Sequence, residues 1–437
     1  MPTKIVLIVT ICLSMLNAKE NLLSTLCQTG IQNNPKIKSF GHKTSASHSY
    51  YDQSVDRYKP SLNISGQYGN QNYHYEYPEQ NVYYGGKTYN YNFTIKQSIY
   101  RQQLIEGITD AKARKELARL TEEDEKAKLI TMILQNAINS ARQKKIIAIL
   151  TKKRTLLQSA YENINKKFEM QLTSSIEKYQ AFARVQESIS ELTKAKQIYE
   201  YNLYNLRLLT KYDDVEKYIT SIDFDTDALR KSFNKSKFRS IKESINYNTQ
   251  IKLYEQSVAI AKIQIDLRNS ERSPQIDAVF SYGDAGGSID AVTRQNESRA
   301  MLTLNFPIFQ GGYVDDRVQE SKYLYYAAKE EAENTRLNIK ISLEKTISNI
   351  KGGLESVKAE RSAVDASKKY FEGATKSYIS GVISLTDVYL AEAEFRDNQL
   401  RLVNTEADMF NSLIEAYYYT GKTDYRYIKE LQNKYLR

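Results

Sequence analysis

The sequence predicts an α+β membrane protein in which four amphipathic strands per chain are set between long antiparallel helices. Three observations predict it. Four stretches of about 9–11 residues alternate apolar with polar side chains, the period of a strand with one greasy face. Two helical patterns run for about 110 residues each, with one interruption apiece, in a chain of 437 residues that holds only 6 Pro and 17 Gly, the residues that usually break helices. The whole pattern occurs twice, at an offset of about 210 residues.

The chain opens "MPTKIVLIVTICLSMLNAKE", with Lys4, an apolar run from Ile5 to Leu16 and the small Ala18. Residues 1–18 read as a secretory signal peptide cleaved after Ala18, because a membrane-spanning helix needs about 20 apolar residues; a retained anchor is the alternative. Cys12 leaves with this leader, so Cys27 stands alone and no intramolecular disulfide forms. Leu26 occupies the place where a lipoprotein box needs a small residue, which argues against a lipid anchor at Cys27. The net charge of +10 becomes +9 without the leader, and acidic clusters such as "TEEDEK" (121–126) interrupt the basic ones. These charges read as solvated helix faces, and an exported chain is not expected to meet nucleic acid. The 35 Tyr, 13 Phe and no Trp suit a boundary between greasy and wet phases, since Tyr has an apolar body and a polar tip.

In the first unit, 19–212, a helix over 20–56 precedes strands at about 59–69 and 88–99. Leu62 and Ile64 alternate with Asn63 and Ser65 in the first, Phe93 and Ile95 with Asn92 and Thr94 in the second. Helical pattern follows over 102–212, then a linker, 213–226. The second unit, 227–421, repeats this: a helix over 227–270, strands at about 274–283 and 299–309, and helical pattern over 310–419. Residues 422–437 read as a basic C-terminal tail. "KPSLNISGQYG" (59–69) matches "SPQIDAVFSYG" (273–283), and "YNFTIKQSIYRQQ" (91–103) matches "AMLTLNFPIFQGG" (300–312). "KFEMQLTSSIEKYQAFA" (167–183) matches "SYISGVISLTDVYLAEA" (377–393). Leu62, Ile64, Phe93, Ile95, Ile276, Phe280, Leu302 and Leu304 are the expected lipid-facing side chains. The stretches 70–86 and 284–297 read as polar loops, the Tyr-rich first one as an outer-surface loop or part of an aromatic girdle.

Ile339, Leu343, Ile347, Ile350, Leu354 and Val357 step by three and four, a narrow seam like that of a coiled coil. Ile146, Leu150, Leu157, Tyr161, Ile164 and Phe168 behave similarly, and the seams break near 168–175 and 378–384, where turns join antiparallel helices. Helices of this length cannot fold back as a compact cover for four short strands. The sheet then faces lipid, where an open edge would leave amides and carbonyls unsatisfied, so several copies must pool their strands. No nucleophile motif or phosphate-cradling glycine loop is present, and His42, His48 and His74 show no metal-ligand spacing. Neither an enzyme nor a cofactor is expected.

Three pieces resemble the TolC-like outer-membrane efflux proteins: "NFPIFQGGYVDDRVQESK", like the family's strand-to-helix junction; "YISGVISLTDVYLAEAEF", like its turn; and "NNPKI" (33–37), like its early motif. The resemblance implies a homotrimer with a twelve-stranded transmembrane β-barrel in the outer membrane of a Gram-negative bacterium, continued by a long antiparallel α-helical tunnel in the periplasm. It implies a passive exit duct of an efflux or type I secretion system, recruited by a periplasmic adaptor (membrane fusion) protein and an inner-membrane transporter of the RND, ABC or MFS type. Pro307, Gly311 and Gly312 match the strand-to-helix junction, where the first unit has Arg101-Gln102-Gln103 and so predicts a different geometry. Asp387 matches the acid of the entrance ring and Glu177 stands in the equivalent place in the first unit, with an acid at a helix start, stabilised by the helix dipole, as the alternative for each; Tyr378 matches the aromatic that ties the tip shut. Gly381 is the expected φ > 0 position of the turn. Leu390 and Ile383 replace a second acid and an arginine of some members, which predicts a less acidic entrance. The alternative is a secreted or periplasmic coiled-coil scaffold or adhesin with a small soluble β head. A transporter adaptor would need a lipoyl-like domain that the sequence lacks.

Overall fold

The computed structural model describes residues 22–220, 222–233, 235–287 and 294–436; the expected signal peptide and its cleavage site lie outside them. In chain order the elements are α1 (Leu22–Asn33), α2 (Pro35–Asp56), β1 (Ser61–Glu76), β2 (Asn81–Arg101), α3 (Gln102–Glu169), α4 (Ser175–Thr210), α5 (Glu216–Thr220), α6 (Thr226–Ser232), α7 (Lys235–Glu243), α8 (Thr249–Asn269), β3 (Gln275–Gly287), β4 (Arg294–Asn305), α9 (Tyr313–Ile379), α10 (Leu385–Tyr419) and α11 (Tyr425–Tyr435). They form two compact units, one of residues 41–121 and 253–333, the other of 1–40, 122–252 and 334–437.

The first of these units holds the sheet, antiparallel throughout in the order β1-β2-β3-β4. Its register sorts the side chains by face. Leu62 pairs with Ile95 and Ile95 with Phe280, Ile64 with Phe93 and Phe93 with Tyr282, and Ile276 with Leu304; paired residues share a face. The opposite face carries Asn63, Ser65, Thr94, Lys96, Ser281 and Thr303. Among the described residues no helix covers the greasy face: Leu62 is 62% exposed, Ile64 71%, Leu302 76% and Leu304 66%. From Tyr89 to Tyr100 this face spans a height of about 25 Å for a strand tilted near 45°, the thickness of a bilayer's apolar band. Tyr68, Tyr89 and Tyr91 border it at one end, and level with them on β3 and β4 Asp284 and Arg294 form an ion pair at 2.6 Å. The helical part of the unit is tied by polar contacts, Gln264 Nε2 donating to Asp110 at 2.8 Å and Gln256 Nε2 to the Ala113 carbonyl at 2.9 Å.

The second unit is helical. Its α9 seam is buried throughout, from Ile339 to Val357, as are Leu150, Leu157 and Ile164 of α3. Leu413, Ile414 and Phe410 of α10 pack with Ile133, Leu134 and Ile138 of α3. At 1.5 Å per residue, the 68 residues of α3 make about 100 Å of uninterrupted helix. α11 ties to two distant segments here: Leu23 N of α1 donates to Gln432 Oε1 at 3.0 Å, and Asp225 N donates to the Tyr435 carbonyl at 2.9 Å. Cys27 is buried in α1, and burial pushes its thiol up to about 12.

The structure corrects several boundaries. β1 continues to Glu76 and β2 begins at Asn81, so 70–86 is a hairpin ribbon closed by a tight turn rather than a loop. β3 and β4 likewise run into 284–297, whose residues 288–293 lie outside the described ones. Above the greasy band both strand faces meet water, so the alternation that marks a strand disappears. β4 stops at Asn305 instead of 309, because Pro307 has no N–H to donate to a ladder. The helix expected over 20–56 breaks at Asn34, and the one over 227–270 breaks into α6, α7, a 3-10 turn (Ser244–Tyr247) and α8. The linker contains α5, and the expected basic tail folds as α11, with Ile428, Leu431 and Tyr435 buried on one face.

Candidate functional site

Two places carry the residues singled out by sequence: the turns that join the long helices, and the junctions between strand and helix. Each turn is built the same way. At the end of α3, Leu172 N donates to the Lys167 carbonyl at 2.8 Å and Gln171 N to that of Phe168 at 2.9 Å; at the end of α9, Val382 N donates to Ser377 and Gly381 N to Tyr378, both at 2.9 Å. These are Schellman pairs, which need a left-handed residue. Gly381 supplies it at φ +74°, and Gln171 does so at φ +58°.

Each following helix opens on a serine cap. Asp387 N donates to Ser384 Oγ, while Asp387 Oδ2 accepts from Ser384 N at 2.9 Å and from Ser384 Oγ at 2.7 Å, a reciprocal capping box. The Ser384 hydroxyl and then its amide hold the Asp387 carboxyl below the usual carboxylate range. Glu177 N donates to Ser174 Oγ at 3.2 Å, and the Glu177 carboxylate accepts from Thr173. Tyr378 packs on a cluster of Leu157, Ile164, Ala181, Val185, Leu385 and Tyr389, which joins the ends of α3, α4, α9 and α10. Lys167 Nζ stands 5.5 Å from the Tyr378 ring centre. Tyr378 is thus drawn into the tip's apolar cluster, whereas Asp387 and Glu177 each serve the start of their own helix. Leu390 is exposed and Ile383 half-buried.

The junctions differ as the sequence predicts. β2 passes into α3 with no residue between Arg101 and Gln102. A bulge at Ser98–Tyr100 re-aims the strand first, and Asp277 pins it, accepting from Ser98 Oγ at 2.9 Å and from Arg101 at 2.8 Å and pairing with Lys96 at 3.0 Å. β4 instead reaches α9 through residues 306–312. There Tyr313 N donates to the Gln310 carbonyl at 3.2 Å across Gly311 and Gly312, both left-handed at φ +61° and +84°. Positive φ at both central positions is the type I′ requirement.

Three features went unread in the sequence. Asn34 Nδ2 donates to the Leu209 carbonyl at 2.9 Å, and Asn248 Nδ2 to Tyr418 and Tyr419 at 3.3 and 3.1 Å. Both amides also cap the next helix, accepting from Lys36 N and Ile251 N. The paired "NPKI" and "NTQI" at offset 214 were the available signal. Along the contact of α3 with α10, polar rungs alternate with the apolar seam: Gln135 to Glu415 at 3.2 Å, Asn139 to Asn411 at 3.0 Å and Arg142 to Asp408 at 3.1 Å. Glu392 and Arg396 form a buried ion pair at 2.9 Å within α10.

The duplicated frame of amphipathic strands and capped helical hairpins has counterparts among known proteins. A family profile described as "Outer membrane efflux protein" matches residues 240–422. Over that stretch the chain is similar to the outer membrane efflux proteins. The outer membrane protein TolC of Salmonella enteritidis is 22% identical over 173 residues, 38% of this chain and 35% of that one. TolC of Escherichia coli (strain K12) is 22% identical over 186 residues, 40% and 37% of the two chains. This chain thus spans a little over a third of the length of the curated relatives it matches. The fold match is wider. The Campylobacter jejuni CmeC outer membrane channel superposes with a TM-score of 0.79 at 15% identity, covering 95% of this chain and 90% of that one.

Proposed function

We propose that three copies of the chain pool their strands into a twelve-stranded barrel and act as the passive exit duct of a tripartite efflux or type I secretion system. The observation that carries this is the sheet. Its greasy face is left uncovered by the chain, and the outer edges of β1 and β4 have no strand partner among the described residues. In lipid such edges leave a row of amides and carbonyls unsatisfied, and sister copies are the partners that the strand order allows. The polar face then lines the pore. The helical part receives a periplasmic adaptor and an inner-membrane transporter, which supplies energy and most of the selectivity. The uncovered greasy face weighs against the soluble scaffold, whose β head would bury it.

At the periplasmic entrance, Asp387 and Glu177 repeat around the threefold axis, with Tyr378 and Gly381 shaping the turn. Carboxylates gathered around an axis favour cations. The capping box keeps Asp387 ionised into the acid range but also commits its Oδ2 to Ser384, leaving Oδ1 for a passing cation. Heat-resistant oligomers in outer-membrane fractions and single-channel conductance in planar bilayers test the duct. Asp387→Ala is expected to change divalent-cation block while leaving the oligomer intact. A monomeric, water-soluble mature protein would overturn the whole reading, and unchanged block only the entrance ring.

A further inference from the structure

The Tyr-rich hairpin is the part of the molecule that the duct reading leaves unused. Its ribbon stands at the end of the sheet opposite to the helices, because β2 and β4 both lead into helix at their other ends. Of the ribbon's two faces, the one continuous with the polar face of the sheet carries an ordered series. Gln67, Asn90, Ala285 and Gln295 form one row; Gly69, Thr88 and Gly287 form the next; Gln71 and then Tyr73 and Tyr75 follow beyond them. The middle row has almost no side chains. It floors a hollow of about 510 Å³ that, among the described residues, no charged side chain lines. At Gly69 a Cβ would meet nothing within 4 Å, so the glycine leaves space rather than avoiding a clash. Above the hollow the exposed rings of Tyr73, Tyr75 and Tyr77 succeed one another at 6.0 and 6.4 Å, stacked within 30° of parallel. Tyr73 Oη donates to Gln71 Oε1 at 3.1 Å, joining the ladder of rings to the amides.

We propose that this hollow and its tyrosine ladder bind neutral saccharide units as they leave the pore. A pyranose ring presents an apolar C–H face bounded by hydroxyls that both donate and accept. Flat tyrosine rings complement that face, and uncharged amides, each with donors and an acceptor, complement that rim. A charged ligand would find no counter-charge in the lining, and a purely apolar one would strand the amides of Gln67, Gln71, Asn90 and Gln295. The volume suits one or two sugar rings. The inference rests on the duct reading, which puts this face in the pore.

The test is a planar bilayer holding oriented channels of the full mature chain, with maltohexaose added on the helical side and polyethylene glycol of matched size as the control. Maltohexaose should produce current blockades that outlast those of the glycol. In Tyr73→Ser/Tyr75→Ser, and separately in Gly69→Leu, which fills the hollow where space is free, those blockades should shorten by about tenfold while the glycol events stay unchanged. Equal blockades for sugar and glycol, dwell times untouched by both variants, or block from the hairpin side alone would overturn the proposal. Conductance is read in the same traces, so a silent protein sinks the duct, and the pore-mouth site with it, in a way distinct from an open channel indifferent to sugar.

Discussion

The two repeats hold the same backbone with different residues. Where the second places Gly381 and Gly421 at left-handed helix ends, the first places Gln171 at φ +58° and Lys211 at φ +52°, each pair offset by 210 residues. The second junction turns on two glycines, the first on none, and the bulge with its Asp277 anchor takes over the redirection. The buried asparagines Asn34 and Asn248 and the capping serines Ser174 and Ser384 match in kind. Duplication has kept dihedral angles and buried polar bonds more closely than it has kept side chains, because these are what a long helical hairpin cannot close without.

The largest effect is expected where the repeats differ most. Gly311→Val with Gly312→Val forces two branched residues into left-handed backbone and should cost about 2–4 kcal/mol, read as a fall in the temperature at which the oligomer dissociates in detergent. No neighbour crowds either position, so an undiminished dissociation temperature would mean that this junction does not need its turn. Next come the asparagines. Each alanine substitution leaves carbonyls unpaired at about 1–3 kcal/mol, and Asn248→Ala should be the worse, since its amide serves two carbonyls and that of Asn34 one. Equal losses would erase that distinction. Smaller still, Gly381→Ala should destabilise by about 1–2 kcal/mol, while Gln171→Gly should be neutral or stabilising by less than about 1 kcal/mol. Proteolysis rates at the two turns would report both. The smallest concerns pH. The folded Asp387 carboxyl titrates below its ordinary value, so the support it gives α10 is full at neutral pH and is lost as pH falls through that depressed value. Hydrogen exchange at the start of α10 should rise on acidification, and in Asp387→Asn that rise should be absent.

How much of this was legible follows from which signals are local. The centre of each strand was readable because lipid on one side and water on the other force an alternation, as at Leu62, Ile64, Leu302 and Leu304. Its ends were not, because the ribbon beyond Gln67 is wet on both faces and looks like loop. The seams of α3 and α9 were readable for the same reason of period, whereas the rungs Gln135, Asn139 and Arg142 fall on the same face and look like solvated positions until α10 brings Glu415, Asn411 and Asp408 opposite. At the tip, Ser384 and Asp387 stand three apart and spell a capping box that could have been read directly. That pairing places Asp387 as firmly in helix initiation as in any entrance ring. α11 was hidden by its charge, since Ile428, Leu431 and Tyr435 make a narrow stripe in an otherwise basic segment.

The bond from Leu23 to Gln432 sets an order on biogenesis. Synthesis runs from the amino end, so α1 is made hundreds of residues ahead of the glutamine that satisfies its Leu23 amide. A chain that stops short of Gln432 cannot close that bond, and loss of α11 would also leave Asp225 N without the Tyr435 carbonyl.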